Sequence, residues 1–284
     1  MKAASNLPIK AETIRSHTLS VRRSFGRAGA GYDAAAVLQA VARERLLRRL
    51  DPITITPQVI LDAGAGTGHA SEALQVRYPE SQVIALDSAF GMLHEASRRG
   101  SLVSPFHKVC ADAEHLPLAA GSVDLIISNL MLQWCRPDAV FAEFRRVLAP
   151  QGRLNFTTLG PGTLHELRSA WAAVDSHSHV NSFMATHDLL AAMSRAGLAA
   201  PALDVEHYTM TYTNVHALAM DLKAIGAQSV IAGRSKGLTG PRRFAAMETA
   251  YETFRCNDRL PATYEILFGQ ASAPQHQRSR SPLD

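Results

Sequence analysis

The residues most able to do chemistry sit in one run of this 284-residue sequence, Val59-Ile60-Leu61-Asp62-Ala63-Gly64-Ala65-Gly66-Thr67-Gly68. An apolar segment ends in an acid, and glycines follow at alternate positions. Glycine lets a backbone come close to a ligand and take positive φ. A dinucleotide fingerprint needs a third glycine at position 69, where His69 stands. A phosphate-binding P-loop needs a Lys-Ser/Thr pair after its last glycine, and none is present. Two more acids keep step with the first. Asp62, Asp87 and Asp112 are 25 residues apart in succession, and each follows an apolar run.

Such a rhythm needs alternating elements to carry it. Strands are predicted at Val59–Leu61, Gln82–Leu86, Phe106–Cys110, Val123–Ser128 and Arg153–Thr157. Helices are predicted at Ala70–Tyr78, Gly91–Arg99 and Asp138–Leu148. The alternation implies an α/β fold with a parallel sheet and helices on both faces. Ligands in that architecture sit at the carboxyl ends of the strands, where the three acids fall. An amphipathic helix over Ala34–Leu50 precedes the core. After Thr158 the rhythm changes. Helices are expected over Thr163–Val174, Thr186–Arg195, Asn214–Ile225 and Pro241–Arg255, and strands over Leu203–Tyr212 and Ala262–Phe268. The expected domain plan is a flexible arm over 1–20 and one domain over 21–270 with its ligand-binding core at 57–158. A helical lid inserted in the C-terminal half, roughly 175–195 and 214–255, covers the strand ends. The Pro/Ser/Gln/Arg-rich residues 271–284 read as a disordered tail.

The strand, glycine turn and in-phase acids resemble motif I and its surroundings in the class I S-adenosylmethionine-dependent methyltransferases. The resemblance implies a Rossmann-like, mostly parallel seven-stranded sheet with S-adenosylmethionine as cofactor and S-adenosylhomocysteine as product. Asp62, Gly64, Gly66 and Gly68 would hold the amino-acid part, Asp87 and Ser88 the ribose, and Asp112 with Ala113 the adenine. Met92 would pack on the adenine face. The backbone of Asn129 and the side chain of Gln133, after the fourth strand, would serve the methionyl group or the acceptor.

Other segments narrow the resemblance to the malonyl-acyl-carrier-protein O-methyltransferases of biotin synthesis. They are Ser24-Phe25-Gly26-Arg27 through Gly31-Tyr32-Asp33, Ser128-Asn129-Leu130 with Gln133-Trp134-Cys135, and Thr158-Leu159-Gly160-Pro161-Gly162-Thr163-Leu164. His179-Val180-Asn181 with Phe183, Asp221-Leu222-Lys223, Gly237-Leu238-Thr239-Gly240 and Leu260-Pro261-Ala262-Thr263-Tyr264-Glu265 complete them. The similarity covers roughly residues 21–271. It implies that Phe25, Arg27 and Tyr32 close over the cofactor. This chain has Ala65 where the family often has Cys, a mild change in a turn that contributes mainly backbone. The implied reaction moves a methyl to the free carboxylate of a malonyl thioester on acyl carrier protein. Malonyl-coenzyme A is a second carrier that the residues leave open. A different small carboxylic acid or a quinone-type substrate is the alternative acceptor.

That reaction asks little of acid–base chemistry. A carboxyl with a pKa of about 4 is ionised at neutral pH, so no general base is needed. Alignment and exclusion of water carry the rate, and no side chain is expected to be catalytic in the acid–base sense. A cation should select the malonyl carboxylate, and Arg243, Lys223 and Arg145 are the candidates. Lys223, Arg234, Lys236, Arg242 and Arg243 together suit an acidic carrier protein. Asp175, His177, His179 and His187 lack a fixed ligand spacing, so no metal is expected. Loop packing, or lining of the substrate channel by His179 and Asn181, is the reading preferred. A nucleic-acid methyltransferase would want Asn/Asp-Pro-Pro-Tyr after the fourth strand, and Asn129-Leu130-Met131-Leu132 stands there. The formal net charge of +4 calls for no nucleic-acid partner. Cys110, Cys135 and Cys256 are widely spaced, and no apolar run reaches the ~20 residues of a membrane span. A cytoplasmic monomer is the expectation.

Overall fold

The computed structural model describes residues 32–33, 35–51, 55–99, 106–225 and 240–275. The arm over 1–20, Phe25, Arg27, Arg234, Lys236 and the segment 276–284 lie outside them.

Seven strands form one sheet in the order β3-β2-β1-β4-β5-β7-β6. They are β1 (Val59–Ala63), β2 (Gln82–Asp87), β3 (His107–Cys110), β4 (Val123–Asn129), β5 (Leu148–Leu159), β6 (Ala199–Tyr212) and β7 (Leu260–Ser272). Only β7 runs against its neighbours, β5 and β6; the other pairings are parallel. This is the mostly parallel seven-stranded sheet that the resemblance implies. The helices are α1 (Val37–Arg48), α2 (His69–Arg77), α3 (Phe90–Ala96), α4 (Pro137–Val147), α5 (His165–Ala172), α6 (Thr186–Arg195), α7 (Val215–Ala224) and α8 (Pro241–Tyr251).

Strand residues point alternately to two faces, which splits the core into two layers. Leu125 and Ile127 of β4 enter the layer that holds α1, α2, α3, α5, α7 and α8. Ile126 enters the other, with Phe141 and Phe144 of α4. In α1, Leu38, Ala42 and Leu46 recur every fourth residue and are buried, as its amphipathic pattern predicts. Its polar side reaches β6, where Arg45 pairs with Glu206 at 3.0 Å and Arg49 with Glu206 at 2.6 Å and with Asp204.

Three expectations change. The helix α6, expected in the lid, packs in a different layer from α7 and α8. Leu189, Ala192 and Met193 bury that helix in the layer of α4, and Arg195 binds Asp138 at 2.6 Å. The helix after β5 starts at His165 rather than Thr163. Leu164 takes φ 53° and donates its N–H to Thr263 O at 2.6 Å, so β7 captures the backbone that the helix would have used. The last strand is longer than Ala262–Phe268, and Ala271 and Ala273 are buried where a disordered tail was expected. Polar Gln270 and Ser272 alternate with those alanines, and the average composition conceals the alternation. No described helix is long and apolar enough to cross a membrane.

Across the β5–β7 ladder Gly269 stands opposite Phe156, and a methyl on Gly269 would lie 2.1 Å from Cζ of that ring. Phe156 is fully buried and packs on Phe141 with ring centroids 5.5 Å apart, so it has nowhere to move. Gly269→Ala is expected to cost about 1–3 kcal/mol through overpacking. A lower urea midpoint with an unchanged slope would show it.

Candidate active site

The glycine turn closes β1 and opens α2. Gly64 and Ala65 donate their N–H groups to Leu86 O at 2.8 and 3.0 Å, which locks the turn to β2. Gly64 has φ +78°, and a Cβ there would lie 2.5 Å from Met131 Cγ, so only glycine admits the segment after β4 this closely. Gly66 donates to Asp87 Oδ2 at 2.9 Å. Gly68 faces away from the turn's concave side; its missing side chain makes room for Ala96 and Phe106. Asp62 is buried too, and Ser71 Oγ on α2 donates to its Oδ2 at 2.6 Å. It braces the strand–helix junction from behind and lines none of the cavities described below.

Three cavities meet at the ends of β1, β2 and β4. The first, about 100 Å³, is bounded by Gly64, Gly66, Asp87, Ser88, Met92 and Asp112, with Ala113 and Asn129 also on its wall. Asp87 keeps its place because Oδ1 accepts the N–H of Ala89 at 2.8 Å. Asp112 Oδ1 accepts the N–H of Glu114 at 3.0 Å. The second cavity, about 260 Å³, lies between the glycine turn and α1 and is edged by Gln39, Arg43, Gly64, Gly66 and Asn129. The third, about 410 Å³, is mostly apolar and lies under α5, α7 and α8. Tyr32 lines all three. Its hydroxyl is held protonated, first by burial and then by the negative charges of Asp87 and Asp33.

Two residues carry roles that the sequence did not announce. The side chain of Asn129 bridges two elements: Nδ2 donates to Gln39 O on α1 at 3.0 Å and Oδ1 accepts from Thr157 Oγ1 on β5 at 2.8 Å. Its amide therefore ties α1 to the strand ends, while the residue also edges the first and second cavities. Asp33 accepts from Thr67 Oγ1 at 2.6 Å, lies 3.2 Å from His69 Nε2 and pairs with Arg99. Burial opposes its charge, but Thr67, His69 and Arg99 hold its carboxyl below the usual range. Asp33 stands in the N-terminal motif, so the signal was present without an assignment.

Gln133 belongs to the third cavity and not to the two beside the glycine turn. Its Nε2 donates to Leu130 O at 2.6 Å, and its Oε1 accepts from Thr158 Oγ1 at 3.3 Å. Leu130 separates the first and third cavities with φ 50°, an uncommon conformation for a leucine, and Thr157 O and Oγ1 both accept its N–H. Among the described residues no lysine or arginine lines the third cavity. Lys223 is exposed on the last turn of α7. Arg243, on the first turn of α8, is over half exposed and stands 3.8 Å from Asp175. Arg145 lies in the last turn of α4, just before β5 begins, at the opposite end of the sheet from the cavities. His177 and His187 do not meet His179: His177 donates its backbone N–H to Asp175, and His187 pairs with Asp188 at the surface.

A family profile described as a methyltransferase domain matches residues 61–156. Over 262 residues the chain is 51% identical to a malonyl-acyl-carrier-protein O-methyltransferase of Methylovorus sp. (strain MP688), covering 90% of this chain and 88% of that one. It is 41% identical to the biotin biosynthesis bifunctional protein BioHC of Cellvibrio japonicus, over 87% of this chain and 49% of that protein. Among solved structures, the YcgJ protein of Bacillus subtilis superposes with a TM-score of 0.59 at 17% identity, over 84% of this chain and all of that one.

Asp62 has a measurable signature. Burial, reinforced by the charge of Asp87 and opposed by Ser71, pushes its carboxyl up to about 6. The folded value lies above the unfolded one, so the folded chain binds this proton more readily. The resulting stabilisation is complete below a pH of about 4 and is lost as pH rises through about 6. At neutral pH the ionised, buried carboxylate therefore opposes folding. Asp62→Asn is expected to raise the melting temperature at neutral pH by a few degrees, on the order of 2 kcal/mol. The difference from wild type should disappear on acidification, which calorimetry across the pH range would check.

Proposed function

We propose how this chain, which belongs to the malonyl-acyl-carrier-protein O-methyltransferase family, divides its three cavities between a methyl donor and a malonyl acceptor. The first two hold S-adenosylmethionine, and the third holds the malonyl group of a loaded acyl carrier protein. The product is the malonyl methyl ester at the start of biotin synthesis. The observation that carries this reading is that Tyr32, Leu130 and Trp134 line both the first and the third cavity, so donor and acceptor meet at the end of β4.

The donor set fits S-adenosylmethionine. Asp87 suits the ribose hydroxyls, Asp112 with the Ala113 backbone suits the adenine edge, and Met92 suits the adenine face. The amino-acid end is met by α1. Gln39 Oε1 is buried without a hydrogen-bond partner, and one turn later the half-buried Arg43 guanidinium makes no ion pair among the described residues. Burial holds the pKa of Arg43 below its ordinary value, against the opposing charges of Glu44, Asp33 and Asp62. An orphan acceptor and an orphan cation in the second cavity match an ammonium and a carboxylate on one ligand.

When bound, this donor supplies a sulfonium methyl: an oxygen lone pair of the ionised malonyl carboxylate takes the methyl, the C–S bond breaks, its electron pair stays on sulfur, and no proton moves. The protein's part is to orient and to exclude water. Leu130, Trp134 and Tyr32 frame the junction, and the apolar wall of the third cavity strips water from the reacting oxygen. The Tyr32 hydroxyl is held protonated, so it adds no competing charge. At the rim, Lys223, Arg242 and Arg243 are exposed on α7 and α8. They suit steering of an acidic carrier protein.

Labelled S-adenosylmethionine offered with malonyl-carrier protein, malonyl-coenzyme A and free malonate tests the reaction. Base-labile methyl ester formed on malonyl thioesters is expected, and no transfer to either would overturn the reading. Arg43→Met is expected to weaken S-adenosylmethionine binding about tenfold or more, the worth of a hydrogen bond to a charged group. Affinity for 5′-methylthioadenosine, which lacks the amino-acid end, should be unchanged by calorimetry.

A further inference from the structure

The third cavity has to take an anion without a described lysine or arginine on its wall. Among the described residues of its wall, one side chain is able to supply a positive charge. His179 lines it, with a side chain only 19% exposed. The imidazole lies flat on Trp171 of α5, with ring centroids 3.8 Å apart and 9° between planes. Its Nε2 is 2.9 Å from Asp175 Oδ1, and the same oxygen accepts the backbone N–H of His177 at 2.9 Å. Those contacts, the His177 N–H first and His179 second, hold the Asp175 carboxyl below the usual range, so it is an anion at neutral pH. A carboxylate on Nε2 fixes that nitrogen as a donor and leaves Nδ1, which has no partner among the described residues, for a ligand.

We infer that His179, oriented by Asp175 and Trp171, is the group that receives the free carboxylate of the acceptor. The inference rests on the reading of the third cavity as the malonyl site. The charge count supports it. Asp175 is negative and Arg243, 3.8 Å from its other oxygen, is positive. With neutral His179 the cluster carries no net charge, and a second carboxylate entering the apolar cavity would be uncompensated. When His179 takes a proton, Nδ1 becomes a donor, and the positive cluster neutralises the ligand. The indole face beneath favours the same charged ring. Asp175 is thus a positioning residue and His179 a substrate-binding one. Arg243 acts behind Asp175 instead of touching the ligand. The other titratable groups near the ring are His177 on its own loop and Tyr32 and Tyr264 on the cavity wall; burial keeps both phenols protonated.

The test uses the full-length protein with malonyl- and acetyl-carrier protein. Wild type should bind the malonyl form more tightly than the acetyl form. His179→Gln keeps a polar side chain but cannot carry the charge. It is expected to raise KM for malonyl-carrier protein about tenfold or more and to bring malonyl and acetyl affinities together. Its affinity for S-adenosylmethionine should stay at the wild-type value, which also reports that the chain is folded. Asp175→Asn should raise the same KM through loss of orientation and imidazolium support. If both variants fold and still discriminate malonyl from acetyl as wild type does, the inference is wrong while the malonyl reading stands. If wild type itself methylates no malonyl thioester, the reading and the inference built on it fall together.

Discussion

The side-chain amide of Asn129 is the contact on which the site's layout depends. It bridges three elements that are distant in sequence, accepting from Thr157 on β5 and donating to the Gln39 carbonyl on α1 from its own place at the end of β4. A half-buried amide satisfied on both sides is directional in a way that apolar packing is not. Leaving one side unmade costs about 1–3 kcal/mol. The bridge sets α1 across the strand ends and brings Tyr32, Gln39 and Arg43 over the glycine turn. Thr157 also accepts the Leu130 N–H and so helps hold the left-handed leucine that lies between the first and third cavities.

Electrostatics divide the site in the same way. On the donor side, carboxylates are placed where backbone N–H groups can hold them: Asp87 accepts from Gly66 and Ala89, and Asp112 from Glu114. Those bonds keep the acids aimed and lessen the cost of charge in a cleft. The third cavity is mostly apolar, with the His179–Asp175 pair at its wall. A reaction between an anion and a sulfonium cation needs no proton relay. A dry junction between two chambers of different character therefore suffices, and the nucleophile brings its own charge.

The C-terminal motifs do structural work that their specificity disguises. Thr163 Oγ1 exchanges hydrogen bonds with the Glu265 backbone, and Leu164 N–H donates to Thr263. Glu166, almost fully buried, accepts from both the N–H and the hydroxyl of Thr263. The turn after β5 and the start of β7 are thus clasped together. The clasp fixes the entry to α5, whose Leu167 and Trp171 wall the acceptor cavity. Residues that recur with a particular substrate can serve it by shaping the chamber without touching the ligand.

What the sequence determined by itself is local. The glycine turn, the acids at 62, 87 and 112 and the apolar strands follow from short-range periodicity, because a strand, a turn and a helix each leave their mark within a few residues. Those marks sufficed to rule out a dinucleotide, to imply a parallel sheet and to point at the carboxyl ends of the strands. What the tertiary structure alone decided is how distant segments share their polar groups. Gln133 lines the third cavity, Asp62 and Gly68 line none of the three, α6 packs on α4, and the Asn129 amide binds the Gln39 carbonyl on α1. Gln39 and Arg43 look in sequence like polar positions on an ordinary amphipathic helix. Their want of partners becomes visible only when α1 lies across the turn. Periodicity says which face of an element is buried. It does not say which buried polar atom finds a partner, because that is settled by whichever element the fold brings alongside.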